Sequence, residues 1–265
     1  MVEGQREKWS SKIGLIFAAA GSAVGLGNIW RFPYMTGAYG GSAFIIIYLG
    51  CVLFIGLSIM IAEWTLGRRA NLESSSAYKK FNKNWTFAGL LGVISAFLIL
   101  GFYPVVGGWS LAYIFKSVTG LLSSPAIGDE FGLFVSSASS PLIWMAIYLA
   151  INIFIVAKGV TKGLEKASKI MMPTLFVLFI LVGVRSITLP GAMKGLEYIF
   201  KPDWSIVSGE TFLAALGQAF FSLSLGMGIM ITYGSYIPKN EGIPSSASIV
   251  TLLDTIVALL AAIAI

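Results

Sequence analysis

Seven uncharged runs, at residues 13–30, 42–62, 85–115, 141–157, 170–184, 211–238 and 242–253, constrain this chain more than any other feature. A helix needs roughly 17 to 25 apolar residues to cross about 30 Å of hydrocarbon, and most of these runs are long enough. The run at 170–184 is short, but Lys169 and Arg185 can snorkel to the two interfaces, and the apolar run broken by Asp254 continues to Ile265. Hydrophobic residues make up 57% of the chain and charged ones 11%, against roughly 25% charged in a soluble domain. An all-α polytopic membrane protein with about seven transmembrane helices is expected.

The net charge of +6 needs no nucleic acid to explain it. With a cytosolic N-terminus, thirteen of the eighteen basic residues fall on the inner side: Arg6, Lys8, Lys12, Arg68, Arg69, Lys79, Lys80, Lys83, Lys158, Lys162, Lys166, Lys169 and Lys239. Arg31, Lys116, Arg185, Lys194 and Lys201 fall outside, an asymmetry that follows the positive-inside rule. A cell-membrane location with the N-terminus in the cytoplasm follows. The first apolar run is too long, and its flank too charged, for a cleaved signal peptide.

Cys51 is the single cysteine and histidine is absent, which removes disulfides, Cys/His metal sites and histidine bases together. The glycine-rich stretches lack the strand-to-helix setting and the lysine of a phosphate-binding loop. Neither an enzyme nor an organic cofactor is expected.

Gly21, Gly25 and Gly27 interrupt the first run, in GSAVGLGNIWRFP. Glycines in membrane helices often serve close packing, and Gly21-xxx-Gly25 fits that pattern. They can also mark a broken helix, whose freed amides meet an anion and whose freed carbonyls meet a cation. A second interruption, GQAFFSLSLGMGIMITYGSY at 217–236, favours the break, because paired broken helices in two halves point to a transporter site. Glu63, beside Trp64, is expected to face the bundle and brace unwound backbone.

The stretch REKWSSKIGLIFAAAGSAVGLGNIWRFPYMTGAYGGSAFIIIYLG at 6–50, with EWTLGR at 63–68, KGLEKASKIMMPTLF at 162–176 and the second interruption, resembles the neurotransmitter:sodium symporter family in its bacterial amino-acid branch. The resemblance implies two inverted five-helix repeats, with helices 1 and 6 unwound mid-membrane, and sodium-driven uptake of an amino acid by alternating access. Residues 1–12 would be a cytosolic tail, 13–185 the first repeat, 186–209 an extracellular loop and 210–265 the start of the second repeat. Family members continue past the point reached at Ile265. The missing C-terminal half is then an expected partner beside the amino acid and the bilayer, with a truncated, non-transporting membrane fragment as the alternative.

The resemblance also implies a set of ligands. One sodium would meet the Ala23 carbonyl, Asn28, Ser222, Asp254 and the substrate carboxylate; a second would meet the carbonyls of Gly21 and Val24, with its other ligands on a later helix. The substrate carboxylate would meet the amides of Leu26 and Gly27 and the Tyr103 hydroxyl, and its ammonium the carbonyls of Ala23, Phe221 and Ser222. Ile99, Tyr103, Phe221, Ser224 and Met227 would shape the side-chain pocket. The monoamine branch carries an aspartate where this chain has Gly25, so glycine implies a neutral amino acid, and Met227 suits a bulky apolar one.

Arg31 and Gln218 resemble the outer gate, and Arg6, Trp9, Ser235 and Tyr236 the inner one; Arg31 alone also reads as an interfacial snorkelling residue. Asp254 has no lysine or arginine near it in sequence, and an unpaired buried charge is costly, so sodium is expected beside it. With Tyr48, Gln218 and Ser222 it would replace the chloride of chloride-dependent relatives; the alternative is a protonated carboxyl bonded in the core. Gly163 and Pro173 enclose nine residues of the fifth span, whose cytosolic end is expected to unwind readily, unless Pro173 is an ordinary proline near a helix start.

Overall fold

The computed structural model describes residues 7–120 and 127–265, and the Arg6 expectation lies outside them. The described chain is helical: α1 (Lys12–Ala23), α2 (Phe32–Ala38), α3 (Ser42–Gly50), α4 (Leu57–Ala70), α5 (Ser74–Phe81), α6 (Thr86–Val118), α7 (Ile127–Ser136), α8 (Ser139–Ala157), α9 (Lys166–Ile187), α10 (Ala192–Phe200), α11 (Gly209–Ser222), α12 (Ile229–Gly234) and α13 (Ile243–Ala264). Wide π-type turns over Gly27–Arg31, Cys51–Gly56 and Val160–Glu165 join α2, α4 and α9 to what precedes them.

Local chemistry sets the ends. Ser11 caps α1 by accepting from the Gly14 amide (3.1 Å), and Ser208 caps α11 in a reciprocal box with Thr211. Asn71 ends α4 in the left-handed conformation (φ 59°).

Five continuous helices are long and apolar enough to cross a membrane: 42–70, 83–118, 139–157, 160–187 and 243–264. The first run becomes Lys12–Ala23 and Gly27–Ala38, bent by 52°, and counts as a sixth if taken as one span. The sixth expected span, 211–238, does not form one helix. It divides into α11 and α12 around residues 223–228, where Ser224, Gly226 and Gly228 all have positive φ. No regular helix accommodates that conformation.

The buried core runs along α1, α3, α4, α11, α12 and α13, whereas α6, α8 and α9 present most of their apolar side chains outward. That is the distribution expected where lipid, not water, covers the outer helices. Glycines set the closest crossings: a Cβ on Gly67 would strike the Ile231 carbonyl, and one on Gly234 would lie 2.6 Å from the Trp64 carbonyl, so α4 and α12 touch by backbone. The fifth span is wound in this structure from Val160 through Pro173 to Ile187.

Candidate functional site

The two breaks lie against each other near the centre of the core. At the first, the Gly25 amide donates to Asn28 Oδ1 (3.1 Å) and the Leu26 amide to the Tyr103 hydroxyl (3.2 Å). In an uninterrupted helix these amides would serve the carbonyls of Gly21 and Ser22. Val24 is extended (φ −71°, ψ 115°), and regular winding resumes only at the wide turn.

The glycines of the first break differ. A Cβ on Gly21 would make only ordinary contacts with Met172 and Ser168 of α9, so close packing does not require glycine there. A Cβ on Gly25 would run into the Tyr103 hydroxyl, so that glycine belongs to the break. Gly27 is tight against the Phe221 ring, 3.0 Å from a Cβ placed there.

At the second break α11 ends with the Leu225 amide donating to the Phe220 carbonyl (2.9 Å), a Schellman closure with Ser224 in the left-handed place that glycine usually takes (φ 54°). The Phe221 carbonyl accepts from the Ser224 amide at 3.3 Å. The Gly226 amide donates to Glu63 Oε1 of α4 at 2.7 Å. Glu63 thus braces unwound backbone, as its place in the second span implies.

Asp254, wholly buried midway along α13, closes the arrangement. Its Oδ2 accepts from the Ser222 hydroxyl (2.7 Å) and its Oδ1 from Asn28 Nδ2 (2.8 Å). Asn28 Nδ2 also donates to Ser222 Oγ (3.0 Å) and to the Asp254 carbonyl (3.1 Å). Three oxygens therefore converge on one partly positive nitrogen. Among the described residues no lysine or arginine pairs with Asp254. With the Asn28 amide turned so that Oδ1 replaces Nδ2, the set becomes all-oxygen and singly charged, which suits a hard monovalent cation.

The other expected residues divide. Ala23 and Val24 are buried at the end of α1, while Ile99 and Tyr103 are half-buried one turn apart on α6. Met227 is half-buried in the second break, its carbonyl carbon 3.1 Å from where a Cβ on Gly92 would lie. Ser224 donates to the Ser22 carbonyl (3.0 Å). Tyr48 is buried near Ser222 and Asp254, with its hydroxyl outside hydrogen-bonding geometry. Gln218 turns to other partners, accepting from Arg31 Nη1 (2.7 Å) and donating to the Gly27 carbonyl (2.8 Å).

Arg31 also lies 5.7 Å from the Phe221 ring centre, so it spans from one broken helix to the other. Above it a cavity of about 410 Å³ is lined by Leu26, Trp30, Arg31, Tyr34, Met35, Phe102 and Phe221. Trp30 and Tyr34 are absent from the sequence-based set, although their four-residue spacing puts them on one helical face.

At the other end Trp9 donates through its backbone to the Tyr236 carbonyl (3.1 Å) and through Nε1 to the Tyr233 carbonyl (3.3 Å). Its ring meets both tyrosines edge-on, at 5.5 and 5.9 Å. Ser235 is buried beneath, its hydroxyl turned to the Thr232 carbonyl. Two participants escaped the sequence reading: Tyr233, one turn before Tyr236, and Glu165, buried and bonded to Ser10, Ser11 and Lys169. A carboxylate placed among lysines gave no sign that it turns inward.

Comparisons with known proteins identify the family and the fold. The model of the "Sodium:neurotransmitter symporter family" matches residues 6–131 and 135–265. An uncharacterized sodium-dependent transporter of Bacillus subtilis, YhdH, is 44% identical over 270 residues, covering 100% of this chain and 60% of that protein. The human inactive sodium-dependent neutral amino acid transporter B(0)AT3 is 30% identical, covering 98% of this chain and 46% of its own. The crystal structure of MhsT in complex with L-phenylalanine superposes with a TM-score of 0.93 at 50% identity, covering 98% of this chain and 60% of MhsT. The chain thus spans about 60% of the length of YhdH and MhsT. With the family matched over nearly every residue and the paired helix breaks in place, this chain belongs to the sodium:neurotransmitter symporter family, a family of transporters and not of enzymes.

Proposed function

We propose that the protein is a sodium-coupled symporter of the cell membrane, N-terminus in the cytoplasm, that takes up a neutral, bulky apolar L-amino acid by alternating access without chloride. The observation that carries this reading is the buried meeting of Asn28, Ser222 and Asp254 between two broken helices. A buried carboxylate loses several kcal/mol of solvation, and hydrogen bonds to it return about 1.5 to 3 kcal/mol each, so a cation beside Asp254 offsets what they leave. Sodium would enter among these three oxygens with the Asn28 amide turned, so that Oδ1 takes the place of Nδ2. A second sodium would use the carbonyls of Gly21 and Val24.

The substrate carboxylate would lie at the Leu26 and Gly27 amides beside the Tyr103 hydroxyl. Its ammonium would meet the carbonyls of Ala23, Phe221 and Ser222. Ile99, Ser224 and Met227 would border its side chain. The phenylalanine complex of MhsT supports a bulky apolar substrate, and the packing of Gly25 against Tyr103 supports one that brings its own carboxylate. Arg31 with Gln218, and Trp9 with Ser235 and Tyr236, would close the outer and inner ends. The coverage of about 60% of MhsT supports a second reading, in which these 265 residues bind the remaining part of the fold and do not transport by themselves.

Binding of L-phenylalanine and L-leucine to the intact protein, measured in sodium and in potassium, tests the proposal. Binding is expected only in sodium. Equal affinity in both salts, or preference for the decarboxylated amine, would overturn it. Uptake by the 265-residue chain alone, beside uptake by the intact protein, separates the two readings.

A further inference from the structure

The inner ends of α8 and α9 carry a feature that neither cation nor substrate binding uses. Lys158 follows the last residue of α8, Lys162 lies in the wide turn and Lys166 begins α9. Gly159 turns the chain between them with φ 82°, folding the three lysines round one opening of about 570 Å³, whose fourth wall is Thr161. Lys162 and Lys166 stand one turn apart, an arrangement of like charges that destabilises a helix unless something negative sits between them.

The two nearest carboxylates are held by other donors. Glu165 accepts from Ser10, Ser11 and Lys169, and Glu7 lies against the Gly159 turn itself, where it accepts from the Val160 amide (2.6 Å). Among the described residues no carboxylate pairs with Lys158, Lys162 or Lys166. The flank below the opening is apolar: Lys158 Nζ lies 3.8 Å from the Phe154 ring centre, and Phe154, Ile151 and Ile147 are exposed along one face of α8. A cation held over a lipid-facing ring sits at the depth of a headgroup phosphate.

We propose that Lys158, Lys162 and Lys166 bind the phosphate of an anionic phospholipid, whose acyl chains lie along Phe154 and Ile151. The three ammonium groups supply the counter-charge and the apolar face distinguishes a lipid from free phosphate. Basic clusters at the ends of transmembrane helices attract anionic headgroups in this way. Thr161 donates to the Lys8 carbonyl (3.3 Å), so the lipid site adjoins the N-terminal segment that carries Trp9. The proposal stands apart from the transport reading, because it requires neither sodium nor amino acid.

Native mass spectrometry of the intact protein, released from nanodiscs of phosphatidylcholine mixed with phosphatidylglycerol, reads the site directly. The wild type should retain phosphatidylglycerol in preference to phosphatidylcholine. Lys158→Gln should lower that retention about fivefold, and the triple glutamine variant at 158, 162 and 166 by more than about tenfold, while arginine at the same positions preserves it. Thermal midpoints in phosphatidylcholine alone identify a variant that fails to fold, and the wild-type lipid preference remains decisive in that case. Equal retention of both lipids by the wild type, unchanged retention in a folded glutamine variant, or release of the lipid by millimolar inorganic phosphate would each overturn the assignment.

Discussion

The Ser224 hydroxyl donates to the Ser22 carbonyl at 3.0 Å, so one broken helix satisfies a backbone group that the other has released. Ser22 would ordinarily receive the Leu26 amide, which instead donates to Tyr103. Ser224 does this from a left-handed conformation (φ 54°) that costs a side chain roughly 1 to 2 kcal/mol. Ser224→Gly loses the hydroxyl but relieves the backbone; Ser224→Ala loses the hydroxyl and keeps the strain. The alanine variant should therefore be the less stable by about 1 kcal/mol, read as the lower thermal midpoint. The reverse order would show that the left-handed backbone at residue 224 costs a side chain nothing.

Asp254 tests the role of chloride. If its charge stands in for the anion, replacing chloride with gluconate should leave wild-type uptake unchanged. Asp254→Asn, which keeps the shape and removes the charge, should impair uptake at least about tenfold, as expected when a buried charge loses its counterpart, or make it chloride-dependent. A wild type that needs chloride, or an unaffected variant, contradicts the assignment.

Gly25 and Tyr103 form a steric pair. A methyl group at residue 25 would meet the Tyr103 hydroxyl, while the next ring carbon lies 3.5 Å away. Gly25→Ala should cost about 1 to 3 kcal/mol by overpacking. Adding Tyr103→Phe should return most of the lost thermal midpoint without restoring amino-acid affinity, because the Leu26 amide then lacks its partner. Recovery of both would place the substrate carboxylate elsewhere.

Trp9 is 3% exposed and pinned to Tyr233 and Tyr236 by two hydrogen bonds and two edge-on ring contacts. Trp9→Ala should cost roughly 3 to 5 kcal/mol of local stability. Hydrogen exchange should accelerate at residues 233–237 while the middle of α13 stays protected. Unchanged exchange there would mean that Trp9 does not latch this end.

Glu73 gives a pH-dependent reading outside the spans. Burial raises its affinity for a proton, but hydrogen bonds from Ser76 and Ser75 outweigh that and hold its carboxyl below the usual carboxylate range. A group depressed on folding stabilises above its unfolded pKa, about 4.3, and that contribution disappears as pH falls through the folded value. Exchange protection of α5 should weaken on acidification below pH ~4 in the wild type, while Glu73→Gln shows little change with pH. Equal pH dependence in both would exclude Glu73 as the cause.

By itself the sequence determined the membrane class, the helical content, the two places where helices break and the residue types gathered there, because bilayer thickness and backbone hydrogen bonding leave an apolar chain few choices. It also carried the pairing of Asn28 with Ser222 and Asp254, through motifs that resemble a family. Only the tertiary structure decided what 211–238 becomes, since periodicity cannot show that Ser224, Gly226 and Gly228 take positive φ together. It alone separated Gly21, where a side chain would find room beside α9, from Gly25, which makes room for a hydroxyl on α6. It alone turned Glu165 inward and gave Trp9 a second tyrosine. These choices depend on which atoms of distant segments meet, with partners such as Trp9 and Tyr233 separated by 224 residues, and local spacing carries no record of such contacts.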